Sequence, residues 1–232
     1  MEYILFNKRY PYKHLLKKYF ACNRFSHIYE PELYERMIEM IHYLLENYNC
    51  NKFFIKSIKD DTNIVVIVFE HIVIRIYTKE LYDSISEIYN IDTSHIERLI
   101  HIEYLNATGI ENISDNQRTI YAFTITEVLI PCLKCHSIGM ISINPELKKY
   151  GIEIDPEILY MEISTALEHL HHRNILHRDC QLDNIGIRKN FDGTHTYVLF
   201  DFGLSKKYEV KLSYSTILNE KTKLAKSIQR YL

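Results

Sequence analysis

The stretch from residue 155 to residue 207 constrains the fold of this chain more than any other part of its sequence. It opens with Asp155-Pro156-Glu157, where aspartate suits a helix N-cap, proline suits the first helical position and glutamate suits the first turn. Apolar residues then recur at helical spacing, at Ile158, Leu159, Ile163, Ala166, Leu167 and Leu170. The pattern predicts an amphipathic helix with a well-defined start.

Short strand-like stretches lie on both sides of this helix. After it, residues 185–187 and 197–200 are apolar and are joined by Phe-Asp-Gly-Thr at 191–194, which predicts a hairpin. Before it, four stretches rich in β-branched and aromatic residues lie at 52–58, 64–69, 72–77 and 119–130. The turn residues at 59–63 separate the first two, and Pro131 ends the last. An antiparallel meander in the first half of the chain follows from this spacing.

Three further regions have helical character. Residues 12–48 and 79–106 carry apolar residues at helical spacing, the second with an interruption near 90–93, and 217–232 is compatible with a terminal helix. Residues 141–154 fit neither pattern clearly. A strand-rich first half and a helix-led second half predict two lobes that meet near Pro131.

Composition excludes several classes of protein. The chain is 47% apolar and 25% charged with a formal net charge of −2, so it can bury a core and shows no overall basic excess for nucleic acid or an anionic membrane. The longest apolar run, 64–69, is too short to span a bilayer, and the first residues show no secretion signal. Its five cysteines are then expected to be reduced thiols, which indicates a cytoplasmic setting.

One group of polar residues in the second half of the chain indicates a catalytic function. His177-Arg178-Asp179 follows the predicted helix, Asn184 lies five residues after the aspartate, and Asp201 opens an Asp-Phe-Gly triplet after the hairpin. Phosphoryl transfer needs this kind of arrangement, because it depends on positioning and on charge neutralisation around Mg²⁺. Carboxylate and amide oxygens suit Mg²⁺, and a remaining carboxylate can orient or deprotonate a hydroxyl.

The two motifs resemble those of the eukaryotic-type protein kinase superfamily, His-Arg-Asp followed by Asn at the family's spacing and then Asp-Phe-Gly. The resemblance implies that Asp179 is the catalytic base, that Asn184 and Asp201 bind Mg²⁺, and that Arg178 braces the loop. The sequence around Asp201 is also similar to the casein kinase branch. ATP and Mg²⁺ are the implied cofactors.

The resemblance is less complete toward the N-terminus. The family's third strand carries Val-Ala-Ile-Lys, which best matches 73–76 and makes Arg75 the phosphate clamp, although 54–56 is an alternative match. The partner of that basic residue, a helix glutamate in the family, would be Glu97 or Glu103. The turn at 59–63 contains no glycine and two acids, which disfavours a close approach to phosphates.

The resemblance also implies roles for the hinge and for the C-terminal part of the chain. The resemblance makes 119–130 the strand that leads to the hinge, so the backbone of Glu127 and Leu129 would face adenine. Gln181 occupies a position where the family's serine/threonine kinases usually carry lysine. No Ala-Pro-Glu segment or later helices follow 201–203, and our hypothesis is that the helix at 217–232, or the helices at 12–48, partly replaces their support.

A second motif, of cysteine and histidine, suggests a different function. Cys132-Leu-Lys-Cys135-His136 fits the pattern of covalent haem attachment, and with Cys180 it could contribute to a zinc site. The simpler interpretation is a hinge segment with two partly buried thiols.

The sequence therefore predicts an α+β, protein-kinase-like fold of two lobes, with a small antiparallel sheet lobe and a truncated helical C-lobe. A single domain of 1–232 would comprise an N-terminal extension at 1–50, an N-lobe at 51–130 and a reduced C-lobe at 131–232.

The predicted activity is ATP- and Mg²⁺-dependent transfer of phosphate to a protein hydroxyl, Ser/Thr rather than Tyr. The alternative is a catalytically weak binding module or inhibitor of a cellular kinase. Expected partners are ATP and a protein substrate or partner kinase, with no nucleic acid and no membrane. Richness in Ile, Asn, Lys and Tyr favours a viral or parasite source, and hence the host cytoplasm.

Overall fold

A computed structural model describes residues 4–5, 52–57, 65–69, 72–78, 85–104, 120–135 and 141–232. The chain divides into two units, one of residues 1–82 and 99–128 and the other of residues 83–98 and 129–232. The helices predicted at 12–48 and the turn predicted at 59–63 lie outside the described residues. In the described part of the chain, no helix has both the length and the apolar character needed to cross a membrane.

The first unit contains a six-stranded antiparallel sheet of order β1-β2-β3-β4-β6-β5. Its strands are β1 (Ile4–Leu5), β2 (Lys52–Ser57), β3 (Val65–Phe69), β4 (Ile72–Thr78), β5 (Leu99–Tyr104) and β6 (Ile120–Glu127). The predicted meander is confirmed, since β2 pairs β3 and β3 pairs β4. On β4, Ile72, Val73 and Ile74 are all buried, so consecutive residues on opposite faces are covered.

The prediction of a helix over 79–106 is wrong at its C-terminal end. Of its described residues, 85–89 are helical, whereas Leu99–Tyr104 forms β5 and pairs with β6. The ladder sets Ile102 opposite Thr124, with a register shift between Leu99 and His101. Pairing with a strand some twenty residues later is a long-range interaction that a helical window cannot detect.

In the second unit, the predicted cap and helix are confirmed. Helix α1 (Glu146–Lys149) is short, and helix α2 (Pro156–His171) is the long one. Asp155 Oδ1 accepts hydrogen bonds from the backbone N–H of Glu157 at 2.9 Å and of Ile158 at 3.0 Å. The predicted apolar stripe is buried at Leu159, Ile163, Ala166, Leu167 and Leu170, while Ile158 is exposed.

The predicted hairpin is also present. Strands β7 (Ile130–Pro131), β11 (Ile185–Lys189) and β12 (His195–Leu199) form an antiparallel sheet of order β12-β11-β7. β6 ends at Glu127, so Pro131 does not terminate that strand but lies on the edge strand β7, where its missing N–H is tolerated. Two short pairs complete the unit: β8 (Leu133–Cys135) with β9 (Ile141–Ile143), and β10 (Ile175–Leu176) with β13 (Lys206–Lys207).

Gly186 allows β7 to lie close to β11. A Cβ atom at this position would be 2.7 Å from Leu129 Cβ and 3.4 Å from the Ile130 carbonyl oxygen. We therefore expect Gly186→Ala to displace the segment that contains Leu129 and to destabilise the protein by about 1–3 kcal/mol. Thermal unfolding of the variant measures this effect, and a melting temperature equal to that of the wild type would contradict it.

Helix α3 (Tyr214–Tyr231) confirms the expected terminal helix and packs against α2. Its buried residues are Glu220, Leu224 and Ile228. On the exposed side, Lys221 Nζ contacts Glu168 Oε1 of α2 at 2.6 Å. The apolar contact and a buried carboxylate thus join the two long helices of this unit.

Residues 94–97 are anchored to the hairpin. Arg188 is buried and its guanidinium donates to the carbonyl oxygens of Ser94 and Ile96, the latter at 3.0 Å. Leu199 accepts from Glu97 N–H at 3.1 Å, and its own N–H donates to the His95 carbonyl at 2.9 Å. This anchoring explains why 83–98 belongs with the second unit.

Candidate active site

The loop that follows α2 and β10 is organised by His177. This residue is fully buried; its Nε2 donates to the Phe200 carbonyl at 3.1 Å, and its Nδ1 accepts from Asp179 N–H at 3.3 Å. The two partners require the tautomer with the proton on Nε2. One side chain therefore links the loop that carries Asp179 to the end of β12.

Asp179 and Asn184 meet within this loop. Asn184 Nδ2 donates to Asp179 Oδ2 at 2.8 Å and to the Asp179 carbonyl oxygen, also at 2.8 Å. A 3₁₀ turn at Leu182–Asn184 provides the reversal that brings them together. Gln181 Nε2 donates to the other carboxylate oxygen, Asp179 Oδ1, at 2.6 Å. The amide nitrogen of Asn184, and not its side-chain oxygen, is the atom that bonds to the carboxylate.

Asp201 is tied to the same group through its neighbour. Phe200 N–H donates to the Asn184 carbonyl at 3.0 Å, and the Phe200 carbonyl accepts from His177. Asp201 itself is half-buried with φ 64° and ψ 68°, a left-handed conformation that costs about 1–3 kcal/mol in a residue with a side chain. Such strain is retained where the surrounding structure requires it, and here it directs the chain after β12.

Phe202 is packed as internal scaffold. It is 1% exposed and lies edge-on to the His177 ring, with centroids 5.2 Å apart, and edge-on to Tyr89, with centroids 6.0 Å apart. The Tyr89 hydroxyl donates to Glu97 Oε1 at 2.9 Å. The residues on both sides of Asp201 are thus fixed by buried contacts.

Arg178 contributes through its backbone. Its φ is 70°, its side chain is exposed, and its N–H donates to Glu220 Oε1 at 2.6 Å. This backbone bond fixes Arg178 to the terminal helix, and the bracing role implied by the resemblance stays a prediction. Glu220 Oε2 also contacts His171 Nε2 at 2.7 Å, so one buried carboxylate joins α2, the loop and α3.

Helix α3 holds the loop at a second point. Ser227 Oγ accepts from Leu182 N–H at 2.9 Å, at the start of the 3₁₀ turn. The sequence did not indicate that Glu220, His171 and Ser227 support the loop. A glutamate and a serine on a lysine-rich helix are typical of a solvated face. Their positions agree with the hypothesis that the terminal helix supports the loop.

Cys132 and Cys180 are buried, and burial disfavours their thiolate forms. Burial raises the pKa of the Cys132 thiol to about 12, and burial followed by the negative charges of Glu220 and Asp179 raises that of Cys180 well above its usual range. Cys132 is 0% exposed, which argues against haem attachment through it; His136 lies outside the described residues.

A thiol titration tests this burial. Only the thiolate reacts with iodoacetamide, so we expect Cys132 and Cys180 to stay unmodified at pH 8 in the folded protein and to react after unfolding. Mass mapping of the modified peptides gives the result. Rapid modification of either cysteine in the native protein would contradict the packing described here.

The remaining predicted residues lie in separate parts of the chain. In the first unit, Arg75 is buried and its Nη1 donates to Thr126 Oγ1 at 2.7 Å. Glu97 is also buried, but neither it nor Glu103 lies on a helix: Glu97 precedes β5 and Glu103 is part of it. The expectation of a helix glutamate at these positions is therefore wrong, whereas a pairing with Arg75 stays a prediction.

The two hinge residues fall on either side of a unit boundary. Glu127 ends β6 in the first unit and Leu129 lies in the second, next to Gly186. Both side chains are half-buried. Their proposed contact with adenine stays a prediction.

The donor set around Asp201 is suited to Mg²⁺ bound together with phosphate. In the described part of the chain, no group of three or more His, Cys, Asp and Glu side chains could hold a metal by itself. Asn184 and Asp201 offer an amide oxygen and a carboxylate, and Mg²⁺ is commonly bound by one or two such ligands plus substrate phosphates. The residues present fit a nucleotide-bound magnesium rather than an all-protein site.

Comparison with known proteins finds short similarities to serine/threonine protein kinases, although no protein-family model matches. A segment of 54 residues is 39% identical to human serine/threonine-protein kinase DCLK3 and covers 23% of this chain and 8% of that protein. A segment of 65 residues is 42% identical to human serine/threonine-protein kinase/endoribonuclease IRE2, covering 28% and 7%. Another of 78 residues is 32% identical to meiosis-specific serine/threonine-protein kinase mek1 of Schizosaccharomyces pombe, covering 34% and 18%. The matched segments span less than a fifth of these relatives' lengths. These short similarities support the assignment of the chain to a kinase-like superfamily. The resemblance is partial, since no family model matches.

Proposed function

We propose that this chain is a protein-kinase-like phosphotransferase that moves the γ-phosphate of ATP to a serine or threonine hydroxyl of a protein, with Mg²⁺. One observation carries the proposal: Asp179, Asn184 and the residue before Asp201 are joined by direct hydrogen bonds. The first of these bonds lies within the loop that carries Asp179, and the second joins this loop to the end of β12. The short similarities to serine/threonine protein kinases support the same activity.

In this mechanism Asp179 acts on the acceptor hydroxyl. A carboxylate oxygen has more than one acceptor site, so Asp179 can accept a hydrogen bond from the hydroxyl while the amides of Gln181 and Asn184 keep it oriented. The hydroxyl proton passes to the carboxylate as the oxygen attacks the γ-phosphorus, and the bond from that phosphorus to the bridging oxygen breaks so that ADP leaves. Asn184 and Asp201 would hold Mg²⁺, which supplies neutralisation of phosphate charge when bound.

The remaining assignments extend this proposal to the nucleotide. Arg75 would contact its phosphates, and the backbone at Glu127 and Leu129 would contact adenine. Arg75 keeps its guanidinium buried and hydrogen-bonded, as a fixed cation requires. We propose the cytoplasm as the location, since Cys132 and Cys180 are free thiols, as is usual for proteins of a reducing compartment.

Transfer of labelled phosphate tests the function. The full chain is incubated with γ-labelled ATP, Mg²⁺ and dephosphorylated casein as a generic acceptor. We expect label on serine or threonine, dependence on Mg²⁺, and loss of the signal in Asp179→Asn. Incorporation no greater than that of Asp179→Asn, into casein and into the chain itself, would contradict the proposal.

A binding module is the second candidate, and the sequence of residues 59–63, where a turn is predicted, favours it. Two acids and no glycine at 59–63 oppose a close approach of phosphates to this predicted turn. In that case the chain would bind a cellular kinase or another partner without transferring phosphate. No transfer, together with partner binding that neither Asp179→Asn nor Asp201→Asn changes, distinguishes it from the enzyme.

A further inference from the structure

Gln181 presents a neutral amide to the carboxylate at the centre of the site. Its Nε2 donates to Asp179 Oδ1 at 2.6 Å, while Asn184 Nδ2 donates to Oδ2 at 2.8 Å. Each carboxylate oxygen is therefore held by a different side chain. Two donors on the two oxygens fix the rotation of the carboxylate as well as its position.

The backbone that carries Gln181 is fixed on both sides. Gln181 N–H donates to the Asp179 carbonyl at 3.0 Å, and its carbonyl accepts from Asn184 N–H, also at 3.0 Å. The next residue, Leu182, is bonded to Ser227 of α3 at 2.9 Å. The side chain of Gln181 therefore extends from an immobilised point.

Burial does not hold the Gln181 side chain in its conformation. Gln181 is exposed, and holding an exposed glutamine in one rotamer costs conformational entropy. The hydrogen bond to an ionised acceptor is the interaction that opposes this cost. Since Asp179 orders Gln181, Gln181 orders Asp179 in return.

We propose that Gln181 is a positioning residue for Asp179, and this inference rests on the proposed function. Its amide orients the carboxylate toward the acceptor hydroxyl without forming the ion pair that a cationic side chain would form there. The effect of Gln181 is then on turnover and not on nucleotide binding.

Three substitutions separate the donor from the rest of the side chain. Gln181→Met keeps the length and removes the donor, Gln181→Lys restores an N–H donor, and Gln181→Glu places a second carboxylate beside Asp179. We expect kcat to fall about tenfold in Gln181→Met with KM for ATP within about twofold of the wild type. Gln181→Lys should recover at least about half of kcat, and Gln181→Glu should fall at least as far as Gln181→Met. Melting temperatures should stay near that of the wild type because the side chain is exposed.

The side-chain amide signal gives a second readout. In ¹⁵N-labelled protein, the Gln181 amide protons, assigned by their loss in Gln181→Met, should show one downfield proton that moves in Asp179→Ala. A wild type that transfers phosphate while Gln181→Met retains full kcat overturns the inference alone, whatever the amide signal shows. A wild type that transfers no phosphate overturns the proposed function and the positioning role together.

Discussion

Replacing Asp179 with asparagine is expected to lower the turnover number for phosphate transfer by about 10²–10⁴-fold. The amide keeps the size of the carboxylate, but it cannot take up the proton of the acceptor hydroxyl. Because Asp179 is not a proposed nucleotide ligand, the affinity for Mg²⁺ and ATP should stay close to that of the wild type. Steady-state kinetics and calorimetric nucleotide titration measure the two quantities.

Asp201→Asn is the matched control for this result. It makes the same change of carboxylate to amide at a proposed metal ligand, and we expect it to weaken nucleotide binding in Mg²⁺ to the level seen without the metal. Equal loss of nucleotide affinity in both variants, or no loss of turnover in Asp179→Asn, would show that the two acids do not have these separate roles.

The second large effect is expected at Glu220. This carboxylate is buried and bonded to Arg178 N–H and to His171, so Glu220→Ala leaves both partners without their acceptor. Breaking a buried pair in this way costs about 3–5 kcal/mol, which corresponds to a fall in melting temperature of roughly 10 °C for a chain of this size. Differential scanning calorimetry gives the value.

Glu168→Ala provides the comparison for Glu220→Ala. Glu168 also pairs with a residue of the neighbouring long helix, but its side chain is 57% exposed, and the expected cost is at most about 1 kcal/mol. If the two variants melted at the same temperature, the carboxylate of Glu220 would not be the link between α3 and the loop. Deletion of 217–232 should lower the melting temperature further than either substitution, because it also removes the buried side chains of Leu224 and Ile228.

Features with a local cause could be predicted from the sequence. Asp155 caps α2 because its side chain reaches N–H groups two and three residues later, and the Phe-Asp-Gly-Thr turn joins β11 to β12 for an equally local reason. The short spacing between Asp179 and Asn184 also indicated that their side chains could meet, since a single 3₁₀ turn brings them within hydrogen-bond distance.

Features that depend on distant partners could not be predicted. β5 was expected to be helical because its apolar residues fit a helical period over a short window, and its true partner, β6, lies beyond that window. Glu220 gave no signal, because a carboxylate on a lysine-rich helix is normally solvated. Its role follows only from the way α3 places it against Arg178 N–H, across 42 residues of chain.

A crystal structure of the chain with Mg²⁺ and a non-hydrolysable ATP analogue would show whether Asp179, Asn184 and Asp201 form one nucleotide site. We expect a magnesium ion about 2.1 Å from Asn184 Oδ1 and from a carboxylate oxygen of Asp201, with the γ-phosphate facing Asp179. A nucleotide bound at another place, or a metal that contacts neither residue, would contradict the assignment of these three side chains to phosphoryl transfer.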